Sequence, residues 1–281
     1  MRQAAELKSV HESVIEYYER HTPFFLRVGE GGDQGHIHRG VWAAEVSSSS
    51  QALNYVYSRI AQRVDALELQ RPHLLDLGCG VGSGLRYFIE RDVQVTGVTI
   101  SPTQAKMARR ISADSPADVL CADFASAALP LCDLMYAVES LVHANELEPV
   151  AQNISRSLRM GGELVICDDF LAQPFNHLNT SEQCIVECLK RGWQIPSLNT
   201  WDSFKIVFEA QGLELVHTED WTPLLKLDRW RDKMLSMVMR FGGHLPFQSS
   251  LWGSWKAGNA LRQTLQEGLT QYRFGVWKKV R

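Results

Sequence analysis

The sequence predicts an α/β fold in which a doubly wound, mostly parallel sheet of seven strands carries helical additions. Two observations predict it. From residue 72 onward, short apolar runs alternate with stretches of helical periodicity, which is the pattern of βαβ units. A glycine-rich segment follows the first of these runs, where a parallel sheet needs a tight turn into a helix. Right-handed crossovers then place helices on both faces of the sheet.

Residues 1–70 are predicted to form an N-terminal helical lid. Apolar side chains recur at helical spacing in 10–18 and again in 53–64. Between these stretches, residues 28–40 contain five glycines, which disfavour a regular helix and predict a mobile loop. The second helix is expected to open at Gln51, after a loop of four serines.

Residues 71–281 are predicted to form the core of a single α/β domain. The expected strands are 73–77, 93–100, 119–121, 131–138, 164–167, 213–217 and 272–280. Helices are expected at 82–90, 102–111 and 147–158, the last of them closed by Gly161 and Gly162. Two stretches, 170–212 and 223–268, are predicted to be helical insertions.

Composition and charge exclude several classes of protein. The 281 residues hold 29 Lys and Arg against 32 Asp and Glu, a net charge of −3, whereas a nucleic-acid binder needs a basic excess. No run of about 18 apolar residues is present, so no membrane span is predicted. The chain starts with acidic residues and no apolar stretch, which argues against a secretory signal. Six cysteines without a CxxC pair indicate reduced thiols and a cytoplasmic location.

The strongest local signal is the segment LLDLGCGVGSG, residues 74–84. Gly78 and Gly80 fit the first two glycines of the dinucleotide pattern G-x-G-x-x-G. Ser83 stands where that pattern has its third glycine, and Thr99 stands where an acid is expected. Both departures disfavour an NAD-dependent oxidoreductase. A tight turn without a ligand is the structural alternative.

Residues 76–82, D-x-G-x-G-x-G after a strand, resemble the first motif of class I S-adenosylmethionine-dependent methyltransferases. Four further segments continue the resemblance in chain order. Residues 97–104 resemble the GVTLSPxQ segment of sterol C-methyltransferases, tocopherol methyltransferases and cyclopropane fatty-acid synthases. Residues 136–144 resemble the strand-four segment of sterol C-methyltransferases and sugar O-methyltransferases. Residues 160–163 resemble the turn before strand five. Upstream, residues 37–42 are similar to the LHFGYW stretch of O-methyltransferases.

The resemblance implies a Rossmann-like sheet with an antiparallel last strand, and S-adenosylmethionine as the cofactor. It places the methionine part of the cofactor on the glycine loop, its ammonium near Asp76, its ribose near Thr99 and its adenine amine near Asp123. The cofactor-binding residues it implies are Tyr17, Tyr18, Asp76, Gly78, Cys79, Gly80, Thr99, Ile100, Gln104, Ala122, Asp123, Phe124 and Glu139.

Three side chains after strands four and five are the catalytic candidates. His143 is expected to act as a general base, because its ordinary pKa lies near neutrality. Glu139 is expected to bind the cofactor ammonium or to stabilise a cation. By resemblance to O-methyltransferases, Asp169 borders the acceptor. A surface histidine and a loop-anchoring acid are the structural alternatives for the first two.

The acceptor is expected to be a small, largely apolar natural product, because Trp and Met cluster in the second insertion. His36, His38, Trp42 and Trp230 are the residues assigned to the acceptor. No metal site is predicted, since neither adjacent acids nor His and Cys pairs complete a ligand set.

Several readings of the function stay open. C-methylation is slightly favoured, and O-methylation with His143 as the base is the alternative. A non-catalytic cofactor-binding protein or a cofactor-bound cyclase is a further alternative. The expected partner is the small acceptor; the oligomeric state stays open, with a homodimer as the assembly considered.

Overall fold

The computed structural model describes residues 2–28, 31, 34–113, 115, 117–227 and 250–281. The helices are α1 Arg2–Val28, α2 Ser49–Ala66, α3 Ser83–Ile89, α4 Pro102–Ile111, α5 Leu147–Ser157, α6 Thr180–Trp193, α7 Trp201–Ala210 and α8 Ser250–Gln266. The strands are β1 His73–Leu77, β2 Gln94–Thr99, β3 Asp118–Cys121, β4 Cys132–Val138, β5 Leu158–Leu171, β6 Leu213–Asp220 and β7 Thr270–Lys279.

One sheet of seven strands organises the molecule, in the order β3-β2-β1-β4-β5-β7-β6. The strands from β3 to β5 pair in parallel. β7 lies between β5 and β6 and runs antiparallel to both. This arrangement confirms the predicted α/β fold, with a mostly parallel seven-stranded sheet and an antiparallel last strand.

Neighbouring residues of β1 show why the sheet is covered on both faces. Leu74 belongs to one buried cluster, together with Ile60 of α2 and Phe88 of α3. Leu75 belongs to a second cluster, together with Ile154 of α5. Successive side chains of a strand point to opposite faces, so a strand that is apolar at both positions must be sandwiched between helices. The α2 part of the predicted N-terminal lid therefore lies inside the first cluster.

Two predicted helix ends were wrong. α2 begins at Ser49 and not at Gln51, because Ser48 caps the helix and Gln51 is the reciprocal partner in a capping box. α5 ends at Ser157 and is not closed by the two glycines, because Leu158 already pairs with Cys132 in the sheet.

β5 is much longer than the predicted 164–167. It pairs continuously with β7 from Glu163 to Leu171. The antiparallel partner extends the strand past the apolar run that the sequence pattern detected. As a result, Asp168 and Asp169 lie within the sheet and not in a loop.

α6 and α8 belong to the two predicted helical insertions and pack against each other around a third apolar cluster. At their crossing, a Cβ on Gly192 would lie 2.2 Å from the Cβ of Ala257, so the absence of a side chain at Gly192 permits the close approach. Residues 228–249 of the second insertion lie outside the described residues. The division into a lid and a core therefore stays a prediction.

Among the described helices, none combines the length and apolar character that a membrane span requires. All six cysteines are unpaired thiols.

Gly192→Ala is expected to destabilise the protein by about 1–3 kcal/mol, because its new methyl group overpacks the α6–α8 crossing. Adding Ala257→Gly should recover most of this loss, since the crossing again holds a single methyl group. The measurement is urea unfolding of both variants. Gly258→Ala is the matched control, because a Cβ there meets nothing within 4 Å. Equal stability of Gly192→Ala and Gly258→Ala would refute the close crossing.

Candidate active site

A cavity of about 590 Å³ opens at the carboxyl ends of the parallel strands, the position where open α/β sheets bind ligands. Most of the residues singled out from the sequence line it: Tyr18, His38, Asp76, Gly78, Cys79, Gly80, Thr99, Ile100, Gln104, Asp123, Phe124, Glu139, His143 and Asp169. Tyr17, His36, Trp42 and Ala122 do not line it, and Trp230 lies outside the described residues.

The glycine loop after β1 forms one wall of the cavity. Gly78 has a φ of +96°, and a Cβ there would lie 2.3 Å from the Cβ of Ser140. The loop therefore packs against the segment after β4 only because residue 78 has no side chain. At Gly80, by contrast, the nearest atom to an added Cβ is Cδ1 of Ile37, 3.8 Å away. The loop thus leaves room for a ligand at Gly80.

Asp76 is a buried carboxyl group on the cavity wall. Burial raises its pKa to about 7, because a charged carboxylate loses its hydration. An added Cβ at Gly84 would lie only 2.7 Å from Oδ2 of Asp76. A carboxyl group that titrates near neutrality beside a glycine cradle is suited to bind a ligand that carries an ammonium group.

Thr99 at the end of β2 contacts Gln104 in the first turn of α4, and Gln104 contacts α1. Thr99 Oγ1 donates to Gln104 Oε1 at 2.9 Å, and Gln104 Nε2 donates to Oγ1 of Thr22 at 3.1 Å. The side chains expected to contact a ribose therefore form a chain of hydrogen bonds that ends on α1.

Glu19 fixes α1 to the N-terminus of α4. Its carboxylate accepts hydrogen bonds from the hydroxyl of Ser101 and from the backbone N–H of Thr103, the latter at 3.0 Å, as well as from the hydroxyl of Thr103. Desolvation acts to raise the pKa of Glu19, but these hydrogen bonds outweigh it and lower the pKa below its ordinary value. A negative charge also suits the positive end of the α4 dipole.

His143 lies in the short helical turn Leu141–His143 that follows β4. The hydroxyl of Tyr18 is 2.7 Å from Nε2, and the carbonyl oxygen of Gln194 is 3.3 Å from Nδ1. A carbonyl oxygen only accepts, so Nδ1 carries the proton and Nε2 accepts from Tyr18. Burial lowers the pKa of His143, which keeps the ring neutral and able to take a proton at neutral pH.

Asp168 holds the turn that carries His143. Its Oδ2 accepts the backbone N–H of Val142 at 3.1 Å, and its Oδ1 accepts the N–H of Asp169 at 2.9 Å. Burial raises the pKa of Asp168 to about 8. Asp168 is thus bonded to the backbone on both sides and contributes no side chain to the cavity lining.

Glu139 sits at the end of β4 with a φ of +50°, a left-handed conformation that is uncommon outside glycine. Its Oε1 accepts three hydrogen bonds: from the backbone N–H of Arg39 at 3.0 Å, from Nε of Arg39 at 3.0 Å and from the hydroxyl of Tyr272 at 2.9 Å. These bonds hold the strained residue in place.

Arg39 also forms a bidentate ion pair with Asp169. Nη1 donates to Oδ1 at 3.1 Å and Nη2 donates to Oδ2 at 2.7 Å. The guanidinium lies over the ring of Tyr272, 4.2 Å from its centroid. The sequence resemblance included residues 37–42, but neither Arg39 nor Tyr272 was predicted as a site residue. The available signal was a charged residue at the place where the LHFGYW stretch has Phe.

Of the three described residues assigned to the acceptor, only His38 lines the cavity. Its Nε2 is 3.1 Å from Nδ1 of His36, which lies behind it and is buried. Burial lowers the pKa of His36 to about 3. Trp42 lies elsewhere, with Nζ of Lys226 3.0 Å from its ring centroid.

Apolar side chains from α6, α8 and the segment after α6 line the same cavity; they are Leu189, Trp193, Ile195 and Leu261. Among the residues with described side chains, no group of three or more His, Cys, Asp or Glu is arranged to hold a metal ion.

Residues 75–166 match a family profile described as a methyltransferase domain. The chain is 30% identical over 223 residues to the 2-methyl-6-phytyl-1,4-hydroquinone methyltransferase of Synechocystis, covering 74% of this chain and 68% of that protein. It is 36% identical over 143 residues to an O-methyltransferase of Aspergillus sclerotiorum, covering 48% of this chain. It is 26% identical over 193 residues to 24-methylenesterol C-methyltransferase 3 of Arabidopsis thaliana, covering 62% of this chain. The matches span about half, 53%, of the length of each of the last two proteins.

The fold is similar to that of a geranyl diphosphate methyltransferase solved with GPP and sinefungin. The TM-score is 0.71 at 20% identity, over 96% of this chain and 100% of that one.

Glu19→Gln is expected to loosen α1, because a neutral amide replaces the carboxylate that accepts three hydrogen bonds. Hydrogen exchange should become faster in residues 12–27 by roughly tenfold, the effect of losing a charge-assisted bond. Glu16→Gln is the matched control, since the partner of Glu16 among the described residues is exposed Arg20 on the same helix. Equal exchange in the two variants would show that Glu19 does not fix α1.

Proposed function

Because the chain belongs to the S-adenosylmethionine-dependent methyltransferases, we propose that it transfers a methyl group from S-adenosylmethionine to a small, largely apolar acceptor that carries a hydroxyl group. The observation that supports this proposal is one cavity that combines a glycine cradle, a partly buried histidine with a lowered pKa and apolar side chains.

The residues of the glycine loop fit the cofactor. The open space at Gly80 would admit its methionine part, and Asp76 would bind its ammonium group. When bound, the cofactor supplies an electrophilic methyl group on a sulfonium. In-line displacement at such a group depends mainly on positioning, so the main task of the protein is to align the acceptor.

The remaining task is to remove a proton from the acceptor. Tyr18 lines the cavity and donates its hydroxyl proton to Nε2 of His143. An acceptor hydroxyl that donates to the Tyr18 oxygen would pass its proton through Tyr18 to His143. The carbonyl of Gln194 would stabilise the resulting imidazolium through Nδ1.

This geometry supports oxygen as the methylated atom. The sequence slightly favoured carbon, and the relatives include both kinds of enzyme. Glu139, however, is the carboxylate expected to stabilise a cation on carbon, and it is paired with Arg39. Carbon beside a phenolic hydroxyl is the second candidate, because the same base would activate the ring.

Two alternatives to methyl transfer are cyclisation without transfer and cofactor binding without turnover. The mass of the product distinguishes methyl transfer from both. A cytoplasmic location and a homodimer stay predictions.

Cofactor affinity is expected to rise with pH through about 7. Below this pH Asp76 is protonated and offers no charge to the ammonium, so the dissociation constant should increase roughly tenfold per pH unit. Calorimetry with S-adenosylhomocysteine between pH 5.5 and 7.5 measures it. In Asp76→Asn, binding should be weak and independent of pH in this range. A flat profile in the unmodified protein would remove Asp76 from the cofactor site.

His143→Ala is expected to lower turnover by ~10²–10⁴, the usual effect of removing a positioned base, with S-adenosylhomocysteine affinity unchanged. Tyr18→Phe should reduce turnover in the same direction, because it interrupts the proton path. The acceptor is found first by a screen with labelled S-adenosylmethionine. Wild-type activity should fall as the pH drops through the His143 pKa, which burial lowers from its ordinary value. His217→Ala, at an exposed histidine, is the control. Full turnover of His143→Ala on the acceptor found in the screen would show that His143 is not the base.

A further inference from the structure

We propose that Arg39 determines which charge an acceptor can carry. Its guanidinium already occupies the place that a cationic group of the acceptor would take. The site therefore binds neutral acceptors and rejects amines. This inference rests on the proposed methyl transfer, and it assigns Arg39 a role in specificity.

Recognition of an ammonium group in a protein cavity needs negative charge and, often, an aromatic face. Both lie around Arg39. Glu139 and Asp169 line the cavity as carboxylates. The buried ring of Tyr272 lies behind Arg39, 4.2 Å from the guanidinium, and is covered by it. Without a resident cation, these three side chains would form a site for a protonated amine.

Arg39 satisfies all three groups at once. Its Nε bonds Glu139, its two Nη atoms bond Asp169, and its guanidinium lies 4.2 Å from the ring centroid of Tyr272. The Arg39 side chain is 21% exposed and the Asp169 side chain 9%. Arginine suits this role because its planar fork pairs bidentately and stacks on rings.

The charges explain why an amine is rejected. Opposite charge from Glu139 and Asp169 holds the pKa of Arg39 well above its ordinary value, despite burial, so the guanidinium is always charged. An approaching ammonium would meet this positive charge and carboxylates that are already paired. A neutral hydroxyl meets no such repulsion.

The experiment uses the full chain saturated with S-adenosylhomocysteine at pH 7 and compares binding of 2-phenylethanol and 2-phenylethylamine, which differ only in the polar group. Calorimetry should show preference for the alcohol in the wild type. Arg39→Gln should shift the ratio of the two affinities toward the amine by roughly tenfold or more, the range of a charge-assisted bond. Arg39→Lys, which keeps the charge, should retain the preference of the wild type.

Arg39→Gln leaves two acids without their cation, and its fold is checked by circular dichroism. The double variant Arg39→Gln with Asp169→Asn removes one of those acids and keeps Glu139 for the amine, so it replaces the single variant if that one unfolds. A gain of amine binding in the folded variant supports the proposal. An unchanged ratio, or amine binding by the wild type equal to that of the alcohol, overturns it. If the wild type does not bind S-adenosylhomocysteine, that result would instead contradict the proposed function.

Discussion

A positive charge that is largely removed from water has to be paired, and in this protein that requirement joins four parts of the chain. The Arg39 side chain reaches from the segment before α2 to Glu139 after β4 and Asp169 on β5, and it lies on the Tyr272 ring of β7. Removing any one partner would leave an uncompensated group in a low-dielectric region. The N-terminal segment is therefore held across the strand ends, and Glu139 keeps a backbone conformation that it would not adopt on its own.

A single turn of α1 likewise joins separate elements of the site. Tyr18 contacts His143, and Glu19 caps α4. The hydroxyl oxygen of Thr22 accepts a hydrogen bond from the side-chain amide of Gln104. Residues so close in a helix face neighbouring directions; here Tyr18 meets the turn after β4, while Glu19 and Thr22 both meet the first turn of α4. Polar contacts thus set the position of α1, which lines the cavity together with the strand ends, α6 and α8.

The sequence predicted the sheet because its strands are buried on both faces and therefore appear as continuous apolar runs. It indicated Glu139 and His143 because they follow strand four at the edge where the ends of parallel strands meet, and it indicated Asp76 through the resemblance to the first methyltransferase motif. The pairing of Arg39 with Tyr272 could not be predicted from local pattern, since 233 positions separate the two residues in a chain of 281. The length of β5 was missed for the same reason: its extension depends on a partner strand far along the chain.

The position of β7 has a consequence for how the protein is made. Among the described strands, β6 joins the sheet only through β7, which lies between it and β5. During translation both flanking strands leave the ribosome before the strand that links them. Until β7 emerges, β5 exposes an unpaired edge to other nascent chains, and Glu139 lacks the hydroxyl of Tyr272. Closing the sheet and giving Glu139 its hydroxyl partner are therefore one event, and both wait for β7.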